Sequence, residues 1–263
     1  MAEQDVVKFE KRGHVGIFTL NRPTAMNAVS FELATRLGEL MDQFEQDDDL
    51  WVGILCSSHP KVFCAGADLK SVNKGLPLAT KKGGFAGFVN YPREKPMIAC
   101  VDGMALAGGC ELVLACDLLV ASPKSQFGVP EVKRSLVAAA GGLYRLPQKL
   151  PKNIALEMLL TGDPLSAETL NKYGFINRLA ENGKSLEKAL ELANQICVNA
   201  PLAVRLSLKM ANDCAGMLTE KEQQARSNEA FPILSETDDF KEGPLAFIEK
   251  RAPRWTGKRK AKL

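Results

Sequence analysis

Two glutamates, Glu111 and Glu131, stand twenty residues apart, each beside small residues. Paired carboxylates that converge on one reacting group are the material of general acid and base catalysis. Glu111 follows Gly108-Gly109 and is flanked by Cys110, Leu112, Val113 and Leu114, a pattern that predicts a mostly buried helix. Burial raises a carboxyl's pKa toward the range useful for proton transfer. A glycine pair opening a helix also leaves N–H groups without intrahelical acceptors at the positive end of the dipole, as a developing oxyanion requires. Glu131 follows Phe127-Gly128-Val129-Pro130, and Pro130 fixes the backbone in front of it. Beyond it, Ala138-Ala139-Ala140-Gly141-Gly142 offers a small-residue wall and another helix start. A third run, Phe63-Cys64-Ala65-Gly66-Ala67-Asp68-Leu69, lets a ligand approach exposed backbone N–H groups. Each feature also has a plainer reading: a first-turn glutamate favours the helix dipole, a glutamate after proline opens a surface helix, and small residues make turns. Taken singly, the residues leave both readings open.

Elements must hold these groups in place. His14–Leu20, Trp51–Cys56, Met97–Val101 and Asp117–Ala121 are short apolar or β-branched runs bounded by turn residues, which predicts buried strands. Between the first two, Ser30 is a helix N-cap and Leu33, Leu37, Leu40, Met41 and Phe44 recur at helical spacing. Alternation of strands and helices predicts an α/β core to about Leu150. Afterwards 153–161, 166–173, 184–198, 202–215, 220–235 and 239–250 all read as helices. The stretch 74–91 has weak periodicity and is expected to be a mobile loop or irregular helix beside a site.

Composition excludes several other chemistries. With 34 basic and 31 acidic residues spread along 263 positions, no broad footprint for nucleic acid exists. The basic excess gathers at Lys250, Arg251, Arg254, Lys258, Arg259, Lys260 and Lys262, either a solvated tail or a clamp for a phosphorylated ligand. Seven cysteines, mostly in apolar runs and without a C-x-x-C pair, read as reduced buried thiols, and His14 and His59 are too far apart in sequence to suggest a metal site. Residues 98–121 are long enough to imitate a membrane span, but Asp102, Glu111 and Asp117 mark them as buried core. Met1–Arg12 has charges of both signs and no apolar centre, so the expected location is cytoplasmic. The ending Ala261-Lys262-Leu263 loosely matches a peroxisomal address.

Asn21-Arg22-Pro23 with Asn27-Ala28, then CAGADLK, GMALAGGCELVLACD, FGVPEV and the closing Glu242–Arg251 together resemble, in order and spacing, the crotonase (enoyl-CoA hydratase/isomerase) family. The resemblance implies a spiral of ββα units over 1–200 and a helical oligomerisation region over 201–263, assembled as a homotrimer or homohexamer. It implies an acyl-CoA substrate, with coenzyme A as part of that substrate and no separate cofactor. The thioester oxygen would sit on the N–H groups of Ala65 and Gly108, with Glu111 activating water and Glu131 exchanging the proton at Cα. Substrate contacts would come from Arg22, Ala65, Gly66, Ala67, Asp68, Leu69, Lys70 and Gly108, with Phe247 and Lys250 reaching a neighbouring subunit's ligand. Both glutamates are present, as in family members with hydratase activity; isomerases, hydrolases, decarboxylases and dehalogenases often keep only one or replace them. Many hydratases carry Gly-Gly-Gly where this chain has Ala107-Gly108-Gly109, and Ile-Pro-Gly-Ala-Gly-Gly in place of Leu136–Gly142, a change at the acyl end. Gly83–Gly87 and Gly243–Phe247 resemble the carnitinyl-CoA dehydratase branch, so a specialised dehydratase or an isomerase competes with a general hydratase. A non-catalytic acyl-CoA- or RNA-binding scaffold is the third alternative, disfavoured by the retained pair.

Overall fold

The computed structural model describes residues 5–216 and 219–258. A hairpin of β1 (Val7–Arg12) and β2 (Val15–Leu20) leads into α1 (Phe31–Gln46). A repeated unit follows: a strand in a large sheet, a strand in a small sheet, then a helix. The first is β3 (Val52–Ser57), β4 (Val62–Cys64) and α2 (Leu69–Asn73). After a short hairpin of β5 (Ala79–Thr80) and β6 (Gly84–Phe85) comes the second, β7 (Met97–Val101), β8 (Met104–Leu106) and α3 (Gly108–Ala115). The third is β9 (Leu118–Ala121), β10 (Gln126–Gly128), a 3-10 turn (Pro130–Arg134) and α4 (Gly142–Lys149). The chain continues through α5 (Lys152–Thr161), β11 (Leu165–Ser166), α6 (Ala167–Asn171), β12 (Arg178–Leu179) and α7 (Ser185–Cys197). It closes with α8 (Pro201–Cys214), α9 (Glu220–Asn228), α10 (Ala230–Ser235) and α11 (Asp238–Ile248).

The large sheet runs β1-β2-β3-β7-β9-β12 and is antiparallel only at β1/β2; the small one runs β11-β10-β8-β4 and is antiparallel only at β10/β11. Each ββα repeat advances both sheets by one strand, so the α/β fold is a spiral. Strands covered on both faces read as continuous apolar runs. Ile17, Ile54, Ile98 and Val120 pack toward Ala189 and Ala193 of α7. Their neighbours Phe18, Leu55, Ala99 and Leu119 belong to the other core, with Leu37, Met41 and Phe44 of α1. Ser30 caps α1 as expected, its hydroxyl accepting the Leu33 N–H at 3.3 Å.

Three expectations change. Residues 74–91 form the β5–β6 hairpin and a packed turn in which Ala86, Phe88, Val89 and Tyr91 are buried, not a mobile loop or a helix. Lys82 and the Tyr91 hydroxyl both meet the Asp42 carboxylate on α1. Tertiary contacts hold this segment, which is why its own periodicity was weak. The single helix expected over 220–235 is two, α9 and α10, because Pro232 has no N–H to offer the Asn228 carbonyl. The basic C-terminal stretch is no loose tail as far as Lys258: Arg251 pairs with Glu242 at 2.6 Å and with Glu249 at 2.6 Å, and the Asp239 carboxylate accepts the N–H groups of Thr256 and Gly257. Arg259, Lys260, Lys262 and the ending Ala261-Lys262-Leu263 lie outside the described residues. Among the described residues no helix is long and apolar enough to cross a membrane, and 98–121 folds as β7, β8, α3 and β9.

Candidate active site

Helix α3 begins where β4 ends. A Cβ on Gly109 would collide with the Cys64 carbonyl oxygen, so glycine there lets the start of α3 lie directly on that strand. The close approach sets the Ala65–Asp68 loop beside Gly108, whose N–H, first in the helix, has no intrahelical acceptor. The Phe85 ring of β6 packs over the Gly108 α-carbon and walls this end of the helix.

The loop itself is braced from behind. Asn27 donates to the Ser57 hydroxyl at 2.7 Å and the Phe63 carbonyl at 3.0 Å, and accepts the Arg22 N–H at 2.8 Å. The Arg22 guanidinium pairs with Asp68 at 2.9 Å and meets the Ala28 carbonyl. Asp68 in turn caps α2 by accepting the Lys70 N–H at 2.9 Å. Arg22 and Asp68 are thus joined to each other, which explains why the Asn-Arg-Pro…Asn-Ala and Ala-Gly-Ala-Asp motifs occur together. Ala65 donates its N–H to the Met26 carbonyl at 3.1 Å.

Glu111 is 3% exposed. Its Oε1 accepts the N–H of Gly142, at the start of α4, at 2.9 Å. Burial pushes its pKa up to about 7; the Glu131 charge adds to this, while the backbone at Gly142 and Ala140 and the Arg145 charge pull it down. Glu131, second residue of the 3-10 turn, is half-buried, and its Oε2 is buried without a hydrogen-bond partner among the described residues. Burial raises its pKa too, against its own backbone N–H. One carboxylate is therefore fixed by a backbone donor, and the other keeps an oxygen uncommitted. Such a pair can hold a base and an acid side by side.

The family model for enoyl-CoA hydratase/isomerase matches residues 10–258. The chain belongs to that family. Over 254 residues it is 38% identical to carnitinyl-CoA dehydratase of Proteus mirabilis (strain HI4320), covering 94% of this chain and 97% of that protein. The crystal structure of enoyl-CoA hydratase from Mycobacterium tuberculosis H37Rv superposes with a TM-score of 0.93 at 44% identity, covering 97% of this chain and all of that one (100%). The structure of carnitinyl-CoA hydratase from Mycobacterium avium gives 0.78 at 40% identity, with 97% and 100% covered.

Within this enoyl-CoA hydratase/isomerase chain the spiral groups Glu111, Glu131, Gly108 and the Ala65–Asp68 loop. Ala67, Leu69 and Lys70 are exposed on its rim, whereas Phe247, 86% exposed on α11, and Lys250 just past it belong to the helical rear and stand outside the grouping. Ala107, standing where many hydratases have glycine, sits at φ +50° and ψ −129°, a region that costs any residue with a Cβ. Sequence reasoning missed the Gly142 donor to Glu111, although Gly141-Gly142 repeats the helix-opening pattern of Gly108-Gly109. It also missed the Met26 carbonyl on Ala65 and the charge of Arg145, for which no local pattern gives a signal.

Proposed function

We propose that the chain is an enoyl-CoA hydratase that adds water reversibly across the α,β double bond of an enoyl-CoA thioester. The observation that carries this reading is the unequal pair of carboxylates, buried Glu111 held by Gly142 and half-buried Glu131 with a free oxygen, beside the N-terminus of α3. Water attacks Cβ as Glu111 takes its proton. The π electrons move through Cα onto the thioester oxygen, and Glu131 delivers a proton to Cα. The negative charge exists only along the reaction, so a preorganised Gly108 N–H lowers the barrier rather than merely binding substrate. The Ala65 N–H joins it by exchanging the Met26 carbonyl for the thioester oxygen as the substrate seats. Proton transfer and oxyanion stabilisation both come from the protein, so the reaction asks for no cofactor beyond the coenzyme A of the substrate.

A second reading, a hydro-lyase for a polar acyl group, is favoured by the relatives named carnitinyl-CoA dehydratase and carnitinyl-CoA hydratase. Leu136 and Val137, 60% and 58% exposed on the loop after Glu131, mark where this chain departs at the acyl end. A panel of crotonyl, longer enoyl and carnitinyl thioesters, read by product mass, separates the two. Hydration of crotonyl-CoA outpacing the rest supports the first reading; faster carnitinyl turnover or double-bond migration overturns it. We also propose a homotrimer or homohexamer built through 201–263, supported by the exposed Phe231, Ile233, Leu245, Phe247 and Ile248. A cytoplasmic location is supported by seven cysteines that are all free.

A further inference from the structure

Arg145 on α4 is tied to the turn that opens its own helix. One guanidinium nitrogen donates to the Ala140 carbonyl at 3.1 Å, and the other donates to the Val89 carbonyl at 2.7 Å and Asn90 Oδ1 at 3.4 Å. The same group lies over the Tyr144 ring, 4.8 Å from its centroid. It also presses on Gly141, which has φ +126° and where a Cβ would collide with Nη1. The turn Ala140-Gly141-Gly142 is thereby clamped between α4 and the segment that follows β6. That turn presents the Gly142 N–H to Glu111.

We propose that Arg145 is a positioning residue for Glu111, setting the turn that orients its carboxylate and placing a positive charge beside it. The inference rests on the hydratase reading through the role given to Glu111. The groups facing Glu111 are Glu131 from the 3-10 turn, Arg145 from α4, and the Cys110 thiol on its own helix, which burial keeps protonated. Arg145 is the cation of that set, so its loss displaces the Gly142 N–H, the larger effect, and removes a favourable charge as well. Both changes raise the Glu111 pKa, and hydration then needs a higher pH.

The test compares wild type, Arg145→Ala and Arg145→Lys. For Arg145→Ala, kcat for crotonyl-CoA is expected to fall about 30-fold with KM nearly unchanged, since misplacement alone costs up to about a hundredfold. The acid limb of its pH profile is expected to move up by about one unit. Arg145→Lys keeps the charge but not the planar fork, so its limb is expected to move less than that of Arg145→Ala while kcat remains low. Arg145 also borders a cavity of about 1000 Å³ that Asn199, Val204 and Asn212 help to line, so millimolar guanidinium is expected to restore part of the Arg145→Ala rate. A brace without influence on Glu111 would lower thermal stability and leave the limb where it was, and that result overturns the proposal. Infrared titration of the Glu111 carboxyl, with Glu111→Gln as the blank, reads the same shift without turnover. It decides the matter even if wild type hydrates no thioester, in which case the hydratase reading falls by itself. If Arg145→Ala does not fold, an unmoved titration and a wild-type rate in Arg145→Lys overturn the proposal.

Discussion

Helices α3 and α4 start alike, on glycine pairs that follow a strand or a turn of small residues, yet their first N–H groups serve different ends. At α3 the Gly108 N–H faces the Ala65 loop without an intrahelical acceptor. At α4 the Gly142 N–H is taken by the Glu111 carboxylate. The local device is the same, a helix N-terminus with unpaired donors. What differs is the residue across from it. An open N-terminus can stabilise charge that arises only during reaction, whereas one closed by a carboxylate orients that carboxylate and moderates its pKa.

The comparison breaks most decisively at the glutamates. Glu111→Gln keeps an amide oxygen for the Gly142 N–H but removes the proposed base, so kcat for crotonyl-CoA hydration is expected to fall about 10³-fold while the fold survives. Glu131→Gln is expected to lose a similar factor, because the amide cannot cycle a proton at Cα. Steady-state rates together with thermal unfolding check both. Near-normal turnover in the two variants would make α3 and α4 ordinary helix starts with no division of labour.

A smaller effect sharpens the closed end. On the proposed mechanism hydration needs Glu111 ionised, and burial pushes its pKa up to about 7. The rate of hydration is therefore expected to fall about tenfold per pH unit below that value, while dehydration, which needs the same group protonated, falls above it. Because Glu131 is also raised and sits close by, each limb reports the pair rather than one residue. Rate profiles in both directions check this. Limbs of the same sign in both directions would remove Glu111 from the water side.

How much of this could be read from the residues follows from the range of each interaction. The strands over 14–20, 51–56, 97–101 and 117–121 and the helix after Ser30 are local patterns of burial, and each lies within a residue or two of the observed element. The three-residue strands β4, β8 and β10 carry too few side chains to show a period, so the second sheet could be expected only from the family resemblance. At the site, Glu111, Glu131 and the glycine pair stand in local runs that admit catalysis, but each run alone also admits a structural role, and only the ordered family resemblance joins them. The Gly142 donor, the Met26 carbonyl and the Arg145 clamp bridge separations of 31, 39 and 56 residues, and nothing near either partner announces them. The resemblance makes Arg22 and Asp68 substrate contacts; that their side chains also engage each other, a pairing that spans 46 residues, has no local signal.

The smallest expected effect tests the open end. Ala107, which precedes Gly108, holds φ +50° and ψ −129°, whereas Gly141, which precedes Gly142, is a glycine at φ +126°. Strain of this kind costs about 1–3 kcal/mol. Ala107→Gly relieves it but loosens the unfolded chain by about 0.4–1 kcal/mol, so the two terms oppose each other. The larger wins, and the variant is expected to be more stable by roughly 1 kcal/mol in denaturant unfolding, with an unchanged slope. Turnover then decides what the strain is for. If Ala107 only occupies the position, Ala107→Gly hydrates at the wild-type rate and α3 behaves as α4 does. If its Cβ, which fills the space that a Cβ on Gly66 would need, holds the Gly108 N–H in line with the thioester oxygen, stability rises while kcat falls a fewfold, and the strained start of α3 is part of the oxyanion hole.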